Sequence, residues 1–178
     1  GEKPKLTDEQ NNALKIYKNS SDFKVNVING VTGSGKTEIY LRIIEKNLEE
    51  NKSTLVLVPE INLIPQLIKV FSERFRGDIG IYHSKQTPIQ KYKTWQASAN
   101  GNIKIIIGTR SAVMLPFKKI GSIIVDEEHD ESYKQNEGFR YSARDLAIKR
   151  AQVENAPIIL GSATPSISTI GNIAKKKF

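Results

Sequence analysis

The segment Gly30-Val31-Thr32-Gly33-Ser34-Gly35-Lys36-Thr37 has the types and spacing G-x-x-x-x-G-K-[ST], the pattern of a loop that holds a polyphosphate. Glycines at 30, 33 and 35 let backbone N–H groups converge on phosphate oxygens with no Cβ in the way. A helix opening at this point adds the positive end of its dipole. Lys36 would reach the β and γ phosphates, and Thr37 would offer its hydroxyl to Mg²⁺. The pattern predicts a site for a magnesium nucleoside triphosphate.

A second group of chemically able residues ends the apolar run Ile123-Ile-Val, which closes on Asp126-Glu-Glu-His129. An acidic strand end by itself is more often a solvated turn. Beside the loop at Gly30 it reads as a Walker B element, with Asp126 holding the Mg²⁺ and its water shell. Glu127, directed elsewhere, would orient and deprotonate an attacking water. Gly161-Ser-Ala-Thr-Pro165 follows another apolar run, and its hydroxyls at Ser162 and Thr164 could bond to the histidine or face the γ phosphate. Arg110, with Ser111 beside it, could hold a nucleic-acid phosphate or could be a surface arginine. Tyr133, Phe139 and Tyr141 alternate with Lys134 and Arg140. That pattern suits base stacking, and it suits core anchoring equally well.

These residues need a sheet edge to gather on. Short apolar runs alternate with longer segments of helical period, which predicts an α/β domain with a mostly parallel sheet and helices on both faces. The strands are expected at Val25–Asn29, Thr54–Val58, Ile79–Tyr82, Ile103–Ile107, Ser122–Asp126 and Pro157–Leu160, each rich in Val, Ile or Leu. Helices are expected at Lys36–Glu49, Ile61–Phe75, Ile89–Ala99 and Ser142–Val153. An earlier one is capped by Thr7 or Asp8, with Gln10, Ala13, Leu14 and Tyr17 on one face. Ile64, Ile68, Phe71 and Phe75 form a stripe for the core. Trp95 shares helical spacing with Tyr92, which predicts that it packs inward.

The 178 residues suit one domain, and 38% apolar content supplies a core. With no cysteine and only two histidines, disulfide, thiolate-zinc and cysteine-nucleophile chemistry are excluded. No apolar run approaches the roughly 20 residues that span a bilayer, so no membrane partner is expected and the cytoplasm is the expected location. A formal charge of +8 favours a polyanionic partner.

GSGKT at 33–37, DEEH at 126–129 and SAT at 162–164 resemble motifs I, II and III of the DEAH-type superfamily 2 helicases, in their usual order. The stretches GVTGSGKTEIYL at 30–41, IGTRSAVMLPF at 107–117 and VDEEHDESYKQNEGFRYSARDLAIKRA at 125–151 are similar to the replication-restart DNA helicases within that superfamily. The resemblance implies a RecA-like P-loop fold and ATP hydrolysis by Lys36, Thr37, Asp126 and Glu127, with Gln10 at the adenine. It implies that His129 couples hydrolysis to Ser162 and Thr164, and that Pro59, Glu60, Thr109, Arg110 and Ser111 track single-stranded DNA. The span from Tyr133 to Tyr141 would be an aromatic-rich loop that couples DNA contact to ATP turnover. By the same resemblance, residues 1–178 are one motor lobe cut from a longer chain. The parent would unwind DNA from 3′ to 5′, act on single-stranded and forked DNA, and meet primosome and single-strand-binding proteins. Its second lobe with an arginine finger, and its zinc-binding cysteines, would lie elsewhere, so the isolated lobe should hydrolyse ATP poorly. The rival readings are a DNA- or partner-binding module with incidental nucleotide, and a lobe of another superfamily 2 helicase or translocase.

Overall fold

The computed structural model describes residues 3–8, 10–11, 14–15, 22–28, 33–134 and 141–162. Six strands, β1 (Val25–Ile28), β2 (Ser53–Leu57), β3 (Ile79–Tyr82), β4 (Ile105–Gly108), β5 (Ile120–Val125) and β6 (Ile158–Gly161), form one parallel sheet in the order β1-β6-β5-β2-β4-β3. Alternation along β2 shows why the runs are apolar throughout. Leu55 and Leu57 enter the core on one face, and Val56 enters the core on the other.

Helices α1 (Gly33–Glu49) and α2 (Ile64–Arg74) supply the core on the Val56 face through Ile39, Ile43, Ile44, Ile64, Leu67 and Phe71. Helix α4 (Ala143–Val153) and a 3₁₀ turn at Arg110–Met114 cover the other face, with Ala147, Ile148 and Ala151 against Ile123, Ile158 and Leu160. Ser142 caps α4 by accepting from the Asp145 N–H. Buried Asn47 clips α1 to two strands, donating to Thr54 Oγ1 at 2.8 Å and Ser122 Oγ at 3.0 Å. Glu38 joins α1 to α2 by accepting from Arg74 at 3.1 and 3.3 Å.

Three expectations shift. The helix expected over 61–75 opens instead as a 3₁₀ turn at Ile61–Leu63, and the α-helix starts at Ile64. Pro65 has no N–H to give and belongs in a first turn, so it sets that start. Within α2 the buried stripe is Ile64, Leu67 and Phe71, with Ile68 and Phe75 partly buried. Helix α3 (Pro88–Asn100) differs more. Trp95 and Tyr92 are 44% and 62% exposed, so the inward packing expected of Trp95 is corrected. The helix lies beside edge strand β3 and meets it through Thr94, whose Oγ1 donates to Ile81 O at 3.1 Å, so its aromatic face turns outward. Of the first expected helix, Thr7 and Gln10 form a reciprocal cap and Leu14 is buried, while Ala13 and Tyr17 lie outside the described residues.

Candidate active site

Parallel strands bring their carboxyl ends to one edge, the edge where open α/β sheets bind ligands. Three of them carry the residues of interest there: α1 opens at Gly33 after β1, Asp126 follows β5, and Gly161 ends β6. The Asp126 N–H donates to Leu57 O at 2.9 Å, extending the β2–β5 ladder by one bond and fixing where the carboxylate emerges. Glu127 then takes φ of 47°, a left-handed conformation uncommon outside glycine. This kink corrects the expectation that Glu127 is directed elsewhere. Lys36 Nζ lies 3.3 Å from Asp126 Oδ1 and 2.5 Å from Glu127 Oε1, so both carboxylates meet one ammonium.

Burial alone would depress the Lys36 ammonium, but its hydrogen bond to Glu127 and the two carboxylate charges overcome this and hold it above the ordinary lysine value. It remains a cation at any working pH. Gln10 is buried and donates from Nε2 to Gly35 O at 3.1 Å, so the expected adenine residue is pinned to the first turn of α1. Gly30, Val31 and Thr32, and the side chain of Ser34, lie outside the described residues. A cleft of about 410 Å³ opens beside Lys36, Thr37, Glu38, Asp126 and Glu127, with an apolar wall from Leu41 and α2. A lysine, a threonine and two carboxylates around one cleft fit a magnesium nucleotide, because Mg²⁺ is usually held by one or two carboxylates together with phosphates. Among the described residues no group of three or more His, Cys, Asp or Glu gathers into a metal cage.

Behind this cleft lies a layer of contacts that spacing did not reveal. Tyr40, one helical turn after Lys36, donates its hydroxyl to Asp126 Oδ1 at 2.6 Å. Burial first, and the Asp126 charge second, push its phenol well above the ordinary tyrosine value. Glu128 turns into the protein, where Arg144 Nη1 of α4 donates to it at 2.9 Å. Its N–H donates to Gly161 O at 3.0 Å, joining the acidic turn to β6. The expected pairing of the histidine with the small turn is present: His129 Nδ1 and Ser162 Oγ are 2.8 Å apart. Thr164 lies outside the described residues. The i,i+4 spacing of Lys36 and Tyr40 was the available signal for Tyr40; nothing in the sequence paired Glu128 with Arg144.

A second cavity of about 320 Å³ gathers Pro59, Glu60, Thr109, Arg110 and Ser111, five residues to which the resemblance gave a DNA role, together with Ser84 and Ser132, to which it gave none. Ser84 was legible in principle, since it stands two residues past β3 at the same edge. Ser111 Oγ is buried with no hydrogen-bond partner among the described residues, a donor suited to a phosphate oxygen. Arg110 Nη1 reaches the carbonyls of Ser132 and Lys134 at 3.4 and 3.2 Å. Of the aromatic series, Tyr133 is 1% exposed and its hydroxyl meets backbone carbonyls of β2 and the acidic turn. It cannot stack on a base, so core anchoring wins over the DNA role given to it. Tyr141 is half-buried against the same core. Lys134 is exposed and pairs with Glu131 at 3.2 Å. Phe139 and Arg140 lie outside the described residues.

The six-stranded parallel sheet with helices on both faces is a RecA-like α/β domain. The DEAD/DEAH box helicase family model matches residues 7–173, and the chain belongs to that family. Family membership carries with it the use of a nucleotide and Mg²⁺. The chain is 50% identical over 158 residues to the replication restart protein PriA of Haemophilus influenzae, covering 89% of this chain and 22% of that protein. It is 44% identical over 173 residues to the replication restart protein PriA of Bacillus subtilis, covering 96% of this chain and 22% of that protein. The resemblance to replication-restart helicases read from the motifs is thus borne out, over a segment of their length. A structure of RecG bound to a three-way DNA junction superposes with a TM-score of 0.67 at 24% identity, over 96% of this chain and 22% of that one, and shares the fold. No helix among the described residues is long and apolar enough to cross a membrane.

Proposed function

We propose that the chain is the ATP-binding first motor lobe of a 3′ to 5′ DNA helicase that serves replication restart and primosome assembly. The observation that carries this reading is the meeting of Lys36 with Asp126 and Glu127 at the carboxyl edge. Such a cluster holds its own charges together until a triphosphate offers Lys36 a better partner. Lys36 then turns to the β and γ phosphates, and the two carboxylates are released for their own tasks. Mg²⁺ bound there would neutralise charge on the phosphates. Thr37 and Asp126 would hold it, and Glu127 would orient water and take its proton. His129 and Ser162 would relay the state of the acidic turn to the segment after β6.

The Arg110–Ser111 cavity would hold the DNA backbone, which fits a basic chain whose positioning contacts go to phosphate. Single-stranded and forked DNA, a second lobe and single-strand-binding proteins are the proposed partners, in the cytoplasm, with zinc confined to other parts of the parent protein. An arginine from a second lobe is worth about 10³ to 10⁵ in rate, so this lobe alone should turn over slowly.

The test is DNA-stimulated ATP hydrolysis and unwinding by the full-length parent carrying Glu127→Gln. Loss of hydrolysis with ATP and DNA binding retained supports the reading. DNA binding that ignores nucleotide, in a parent that never hydrolyses ATP, would show a binding module instead.

A further inference from the structure

Asp126 is held by more than the lysine. Tyr40 is fully buried on the same face of α1 as Lys36, and its hydroxyl and the Lys36 ammonium both converge on one oxygen, Asp126 Oδ1, at 2.6 and 3.3 Å. The hydroxyl also occupies the space where a side chain of residue 161 would begin. A Cβ added to Gly161 would stand 1.8 Å from Tyr40 Oη and 3.3 Å from Asp126 Oδ1. Any other residue at 161 would expel the hydroxyl from Asp126 or push β6 away. The glycine is therefore required by a close approach, not by its backbone angle.

We propose that Tyr40 is a positioning residue for Asp126: its hydroxyl, seated against Gly161, fixes the carboxylate in the orientation that receives Mg²⁺ with a bound nucleotide. This rests on the reading of Asp126 given under Proposed function. The physical reason is that a carboxylate has two soft torsions, and a buried donor on one oxygen removes that freedom before the metal arrives. Lys36 cannot do this task alone, because the proposed mechanism draws it off to the phosphates. Tyr40 has no such second duty. It also ties three parts of the edge together, since α1, the acidic turn and the end of β6 meet at its hydroxyl.

Tyr40→Phe keeps the ring and removes only the donor. The measurement is the affinity of this chain for a fluorescent nucleoside diphosphate, titrated with Mg²⁺ and repeated in chelator. The expected result is unchanged affinity in chelator and a rise of about 10-fold in the Mg²⁺ concentration needed for half of the metal-dependent gain. A Mg²⁺ curve equal to that of the parent chain overturns the proposal. If the parent chain itself ignores Mg²⁺, the reading of Asp126 fails and the role of Tyr40 falls with it. Gly161→Ala supplies an independent check through thermal unfolding. It should lower the melting temperature, and adding Tyr40→Phe should recover part of that loss, because the nearest ring carbon stands at 3.1 Å, much farther than the hydroxyl. Strictly additive losses from the two substitutions overturn the seating.

Discussion

The Tyr133 hydroxyl stands 2.5 Å from the carbonyl oxygen of Asp126 and 3.0 Å from that of Leu57, so a residue of the aromatic series is bolted to the acidic turn from behind. The ring lies in the core beneath α4. Tyr133→Phe removes the proton these carbonyls share and should cost about 1 to 3 kcal/mol of stability, measured by urea unfolding. A tyrosine whose task was to stack on bases would lose DNA affinity on change to alanine and leave stability untouched by change to phenylalanine.

The pair His129 and Ser162 links the acidic turn to the residue after β6 across 2.8 Å. A double-mutant cycle of His129→Ala and Ser162→Ala should show coupling of about 0.5 to 3 kcal/mol in unfolding free energy, as residues in one hydrogen-bond network do. Additive effects would mean that the two side chains do not act together in solution.

Glu128 is held by Arg144 with its side chain fully buried, and burial would lower the Arg144 guanidinium were it not for that hydrogen bond and the charge of Asp145. Arg144→Ala leaves a buried carboxylate without this partner and should destabilise by about 3 to 5 kcal/mol. Adding Glu128→Gln to Arg144→Ala should restore part of the loss, since the charge is then gone. A double variant less stable than Arg144→Ala would show that Glu128 is sustained by other groups.

Glu38 gives a dependence on pH. Burial would raise its carboxyl, but Arg74 and Arg42 donate to it and bring it below the ordinary value of 4.5. Between that lowered value and 4.5 the unfolded chain binds more protons than the folded one, so stability rises with pH there. The contribution is complete above the unfolded value and is lost as acid carries the pH through the folded one. Glu38→Gln should therefore lose stability near neutral pH and show a shallower acid decline in urea midpoints. Parallel acid declines for the two chains would contradict this.

Much of this was legible in the sequence because the signals were local. Ile79–Tyr82 is a strand between the same residues that the apolar run marked out, and the other strands lie within two residues of their runs. Asp126 and Lys36 were legible because a strand end and a glycine loop each advertise their chemistry. Tyr133 was not, since an aromatic between charged residues reads alike on a surface or in a core, and only the packing of α4 decides. Trp95 misled because helical spacing says which residues share a face but not whether the sheet extends beneath it. At edge strand β3 it does not. The i,i+4 spacing put Tyr40 on the face of Lys36, but its bond to Asp126, its seat against Gly161 and the Glu128–Arg144 pair are contacts between distant segments, which no spacing along the chain encodes.

The central claim is that Lys36 leaves two carboxylates for a magnesium nucleotide, and calorimetric titration of this chain with Mg²⁺ and a non-hydrolysable ATP analogue tests it most directly. The account predicts saturable binding that weakens without Mg²⁺ and is abolished by Lys36→Ala in a variant that stays folded. Equal affinity for the nucleotide in the Lys36→Ala variant and the parent chain would contradict it.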